Sequence, residues 1–198
     1  MILLLAALIA IDEGIPEGPF CYPGKHKREV ITFDPQSAPL FEQAYQTLKN
    51  RLIGLTSEQE ILLETVDFVQ RDLFDLPECT NQNVIQLILH EGMGEIPLET
   101  FLREKKGVCR HLALTVTLLV DSLVRDGTLS GKALLIREDL LWGRHAWTLY
   151  LSESGAWHLD AFYGIMENGK TRAGFSLLCQ KYGCDAMMRQ QARWEHDN

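Results

Sequence analysis

Apolar positions repeat at helical spacing through the first two thirds of the chain and switch to a strand pattern after Gly127. Leu40 to Ile53 carries Phe41, Ala44, Tyr45, Leu48 and Leu52 on one stripe, which predicts a helix stopped by Gly54. Ser57 with Glu60 three residues on is a capping-box signature, and it opens a second helix with Ile61, Leu62, Thr65, Phe68 and Val69 inward, broken by Pro77. Asn81 to His90 reads as a third helix, closed by Gly92 and Gly94, and Pro97 to Arg103 as a single helical turn. From Cys109 to Val124 apolar residues occupy almost every side of the predicted helix, so it is buried on most faces. Asp126-Gly127 ends it.

Beyond that point Ala133 to Ile136, His145 to Leu151 and Trp157 to Tyr163 read as strands. The last two are joined across Ser152-Glu153-Ser154-Gly155 as a hairpin. Phe175 to Lys181 is a final helix, and Glu29 to Asp34 an early strand. Ile15 to Lys27 holds three prolines and two glycines and reads as loop. Helices precede strands, so the fold class is α+β, a single domain over residues 1–198.

Composition changes this picture little. The 198 residues carry a net charge of −8, which argues against general nucleic-acid or anionic-membrane partners. Met1 to Ala10 is apolar but too short to span a bilayer, and it lacks a basic leader and a small-residue cleavage site. It is expected as a buried strand or helix start. The expected location is cytoplasmic, or that of a secreted effector without a classical signal peptide. The five cysteines (Cys21, Cys79, Cys109, Cys179 and Cys184) contain no Cys-x-x-Cys pair, so neither zinc nor any other metal is expected, and four are read as reduced, mostly buried thiols.

Cys109 is the exception. It follows Gly107 at the first turn of the buried helix, where free N–H groups and the helix dipole favour a thiolate. Lys105, Lys106 and Arg110 add positive charge nearby in sequence. If Ser152 to Gly155 form the loop, Leu151 faces Ala156, and His145 and Asp160 become diagonal neighbours; if only Ser152-Glu153 turn, the two face each other directly, and either even loop puts them on one face. A carboxylate there can orient a histidine. His111 lies two positions from Cys109 and points to nearly the opposite side of the helix. His158 shares the strand parity of Asp160 and is expected beside the site rather than as the base, and Trp147 is expected to flank it.

Gly107-Val108-Cys109-Arg110-His111-Leu112-Ala113, then Arg144-His145-Ala146-Trp147, then Trp157-His158-Leu159-Asp160 resemble the transglutaminase-like core of the papain-like cysteine enzymes. The resemblance covers approximately residues 57–164, leaving 1–56 and 165–198 as extensions. It implies N-terminal helices with the Cys-bearing helix packed on an antiparallel β-sheet, no cofactor, and a protein or peptide substrate. It also implies thioester chemistry by a Cys109-His145-Asp160 triad, as a protease or amidase, a glutamine deamidase or a transglutaminase. The Cys109 N–H is then one oxyanion donor, with Gln82, Asn83 and Gln86 as candidates for the second. No Trp precedes Trp142 to play the part it plays in animal transglutaminases, and no calcium loop is evident. Two other readings compete: a catalytically silent domain of this type that binds a protein, and a binding module built on Trp142, Trp147, Trp157 and Tyr163.

Overall fold

A computed structural model of the protein describes residues 7–8, 20–23, 29–92, 94–141 and 143–196. The fold is α+β. Two four-stranded sheets are present among the described residues. The smaller contains β1 (Ala7–Leu8), β2 (Phe20–Pro23), β3 (Glu29–Phe33) and β4 (Gly94–Pro97), in that order. The larger is an antiparallel meander of β5 (Lys132–Leu140), β6 (Gly143–Leu151), β7 (Ala156–Asp160) and β8 (Ile165–Asn168).

The expected helices form with small shifts at their ends. They are α1 (Pro39–Arg51), α2 (Glu58–Phe68), α3 (Asn81–His90), α4 (Leu98–Glu104), α5 (Cys109–Arg125) and α6 (Arg172–Tyr182). Ser57 caps α2 as its spacing predicts, accepting from Glu60 N at 3.2 Å while its hydroxyl donates to the Glu60 carboxylate at 2.7 Å. The helix does not run to Pro77. It ends at Phe68 and widens into a π-helical turn over Val69–Leu73.

Three readings are corrected. The stretch expected as loop between Ile15 and Lys27 contains β2, paired antiparallel with β3. Strands therefore do not simply follow helices: β4, which closes onto β3 in parallel, lies where Gly92 and Gly94 predicted only a helix stop. The chain also ends in a further helix, α7 (Cys184–His196), beyond the last one expected. Of the apolar start, Ala7–Leu8 forms β1; the rest of Met1 to Ala10 lies outside the described residues.

Both faces of the large sheet are covered, and alternation decides which side chain goes where. Ala133, Leu135, Ala146, Tyr150, Trp157 and Leu159 pack toward α5 in the main core. Leu134, Ile136, Leu140, Trp147 and Leu149 pack against Leu178, Tyr182, Ala186 and Met187 of α6 and α7. Helix α5 is buried along most of its length. A polar contact ties it to the sheet: Thr148 Oγ1 donates to Ala113 O at 3.0 Å and lies 2.8 Å from Thr117 Oγ1. No single helix among the described residues is long and apolar enough to cross a membrane.

Candidate active site

Cys109 is the first residue of α5 because the chain turns into the helix there. Val108 is extended, with φ −124° and ψ −179°. His111 then accepts from Val108 N through Nδ1 at 3.0 Å, satisfying an amide that the helix start leaves open. Gly107 has no room for a side chain: a Cβ would meet Phe74 Cε1 at 2.7 Å and His111 Cβ at 2.9 Å. That packing is the physical reason for a glycine two residues before the cysteine.

His145 and Asp160 come from β6 and β7. Of the two registers an even loop allows, the structure has that of the four-residue loop, Leu151 opposite Ala156 and Thr148 opposite Leu159. It brings His145 Nε2 within 2.6 Å of Asp160 Oδ2, with both side chains buried. The thiol of Cys109 is hydrogen-bonded to the His145 side chain and to the backbone of Ala146. With Nε2 held by Asp160, Nδ1 is left for the thiol.

The electrostatics favour the ionised pair. Burial pushes the Cys109 thiol up, but the hydrogen bond and charge of His145, the Ala146 contact and the charge of Arg110 outweigh it, so the thiol sits below its ordinary value. Burial likewise opposes an imidazolium at His145. The hydrogen bonds to Asp160 and Cys109 and their charges prevail, raising it from 6.5 to about 9. For Asp160, burial is outweighed by the hydrogen bond and charge of His145 and the hydroxyl of Tyr182, and the carboxyl is held low.

Every lone-pair direction of Asp160 is used. Oδ1 accepts from Phe162 N at 3.0 Å and Tyr163 N at 3.2 Å. Oδ2 accepts from His145 and from Tyr182 Oη at 2.5 Å. The Tyr182 ring also stacks on His145 with centroids 5.8 Å apart. Tyr182 lies in the segment read as an extension, and its only sequence signal is a tyrosine near the end of an amphipathic helix.

The other expected residues fall in different places. Trp147 is fully buried, stacked on His158 at 4.6 Å and packed against Tyr182, so it supports the site from behind and cannot line a substrate cleft. His158 is fully buried with neither ring nitrogen hydrogen-bonded; burial drives it down to about 3, so it stays neutral. His111 is buried against Phe101 with its Nδ1 committed to Val108, consistent with its exclusion as base. Gln82 and Gln86 stand exposed on α3, and Asn83 spends its amide on Glu78 at 2.9 Å.

Of the basic residues near Cys109, Arg110 acts on the thiol, while Lys105 takes a left-handed conformation (φ 51°) to terminate α4. Of the aromatics in the binding-module reading, Trp147 and Trp157 are core, and Trp142 lies outside the described residues. Tyr163 is partly exposed, 4.9 Å from the His145 ring, with Lys181 Nζ 3.8 Å from its centroid.

One polar side chain not expected from the sequence reaches the same loop. Gln70, on the π-helical turn, lies against Gly164: a Cβ there would be 2.9 Å from Gln70 Nε2. Among the described residues no group of three or more His, Cys, Asp and Glu side chains is placed to hold a metal ion. Comparison with protein-family models, curated proteins and solved structures found no match.

Proposed function

We propose that the protein is a cysteine-dependent acyl-transfer enzyme acting on an amide bond of a protein or peptide, built on a transglutaminase-like core of the papain-like kind. The observation that carries this reading is the placement of the His145 ring between the Cys109 thiol and the Asp160 carboxylate. Hydrogen bonding on both sides fixes the ring's tautomer and orientation, which is the arrangement of an activated nucleophile.

In this mechanism the Cys109 thiolate attacks the carbonyl carbon, and the C=O electron pair moves to oxygen. Collapse of the tetrahedral species expels the amine, which takes its proton from His145 and leaves a thioester. An acceptor, water or a second amine, then loses its proton to His145 and displaces the thiolate. Asp160 stays ionised throughout and stabilises the imidazolium. The Cys109 N–H, at the open start of α5, is the first oxyanion donor. Gln70 is assigned as the second, supported by its amide position over the loop that follows Asp160.

The test needs no substrate. Iodoacetamide at neutral pH should alkylate Cys109 at least tenfold faster than Cys79, and His145→Ala should remove that advantage. Peptide mass spectrometry reads both. A Cys109 no faster than Cys79 in the folded protein would overturn the reading. Once a substrate is in hand, Gln70→Ala should lower kcat by about 10²-fold with alkylation unchanged, since oxyanion stabilisation plays no part in attack on iodoacetamide.

A further inference from the structure

The second pair of cysteines lies beside the Asp160 anchor. Cys179 is on the last turn of α6 and Cys184 is the first residue of α7. Between them the chain reverses at Gly183, whose φ of +90° suits glycine alone, and Gly183 N donates to Cys179 O at 2.9 Å. This turn brings the two side chains close enough for Cys184 to act on the ionisation of Cys179. Both are free thiols, Cys184 exposed and Cys179 half-buried. Cys184 opens on a cavity of about 400 Å³, lined also by Tyr182, Asp139 and Arg189, which gives a small molecule access.

The four residues enclosed by the pair include Tyr182, the residue whose hydroxyl holds Asp160. We infer that Cys179 and Cys184 are a thiol/disulfide modification site, oxidised by small-molecule disulfides, and that closing the bond disengages Tyr182 from Asp160 and lowers the reactivity of Cys109. The coupling to Cys109 rests on the acyl-transfer reading above; the dithiol chemistry does not.

The exchange balances. The Cys184 thiol, the more accessible, loses its proton and attacks one sulfur of the small disulfide, releasing the first small thiolate and leaving a mixed disulfide. The Cys179 thiol loses its proton and attacks the Cys184 sulfur, releasing the second small thiolate. Two protons pass to the two small thiols, and two electrons pass from the protein to the small disulfide. A disulfide requires sulfurs about 2.05 Å apart, far closer than two unbonded thiols approach. The enclosed turn must therefore tighten. Tyr182 sits in that turn, and the bond at 2.5 Å to Asp160 weakens with displacements of a few tenths of an ångström.

The experiment uses the full chain equilibrated with reduced or oxidised glutathione. Peptide mass spectrometry locates disulfides, and the iodoacetamide rate constant of the Cys109 that remains free is measured in each state. A rate constant, unlike an extent, is unaffected by any Cys109 blocked as a mixed disulfide. Oxidation should join Cys179 to Cys184 and lower the Cys109 rate constant at least fivefold, with dithiothreitol restoring it. Cys184→Ser should match the reduced protein in both buffers, and in Tyr182→Phe the change on oxidation should fall below twofold. Absence of the Cys179–Cys184 disulfide would overturn the site. A disulfide that leaves a fast Cys109 unchanged, or an undiminished effect in Tyr182→Phe, would overturn the coupling. A Cys109 that is slow even when reduced would overturn the acyl-transfer reading while leaving the dithiol site to stand on its own result.

Discussion

At the scale of single residues, the triad's protonation behaviour follows from its neighbours. Between the lowered pKa of Cys109 and the raised value of about 9 at His145 the thiolate–imidazolium pair is the resting form. In the proposed mechanism turnover needs His145 to hold a proton for the leaving amine, so kcat/KM should fall as pH rises through about 9, whereas alkylation of Cys109, which needs only the thiolate, should persist. A pH–rate profile of both reactions checks this; parallel alkaline losses would count against it. His158 works in the opposite direction. Its folded value of about 3 lies below the ordinary 6.5, so as pH falls below about 6.5 the unfolded chain binds a proton that the folded one refuses. That group destabilises the fold progressively from pH 6.5 down to about 3. Its unpaired nitrogens, stacked between Trp147 and Tyr182, gain nothing in return. His158→Phe should therefore be close to neutral in stability at pH 7 and lose less than the wild type between pH 6 and 4, by about 1.4 kcal/mol per pH unit, as read by urea unfolding.

At the scale of elements, the site is an agreement between a helix start and a hairpin, and those two were legible. Strand parity and a four-residue loop suffice to place His145 beside Asp160, because side chains alternate with period two. The buried character of α5 was legible from its all-round apolar surface. The shorter strands were not: β2 and β4 have four residues each and end on proline, β4 also starting on glycine, and local sequence there signals a turn while pairing with β3 decides the outcome. The π-helical turn that presents Gln70 was equally hidden, since its residues continue the helical pattern of α2. Tyr182 was invisible for a different reason, its role being fixed by how α6 docks. That docking depends on Gly174, where a Cβ would lie 2.2 Å from Asn168 O at the end of β8. Gly174→Ala should force the start of α6 off the sheet, costing about 1–3 kcal/mol in denaturant unfolding and slowing Cys109 alkylation. A variant with wild-type stability and reactivity would mean that α6 tolerates a different seat.

At the scale of the whole molecule, the segment after residue 164 is part of the site's foundation. The large sheet turns one face to α5 and the other to α6 and α7, and it is the second face that carries His145 and Asp160. Removing residues 170–198 would delete Tyr182 and uncover Leu134, Ile136, Trp147 and Leu149, all of which are buried. Each such side chain is worth roughly 1.5–3 kcal/mol of burial. Four of them approach the entire stability of an ordinary domain, about 5–15 kcal/mol. The shortened chain should bind a hydrophobic dye, lose its near-ultraviolet circular dichroism and show no selective alkylation at Cys109. The contrary outcome is equally readable. A soluble monomer ending at Gly169, with native dichroism and a fast Cys109, would mean that residues 57–164 with their N-terminal flank form a self-sufficient core. Asp160 would then hold His145 through the Phe162 and Tyr163 amides alone, and α6 and α7 would be a detachable cover on a site complete beneath it.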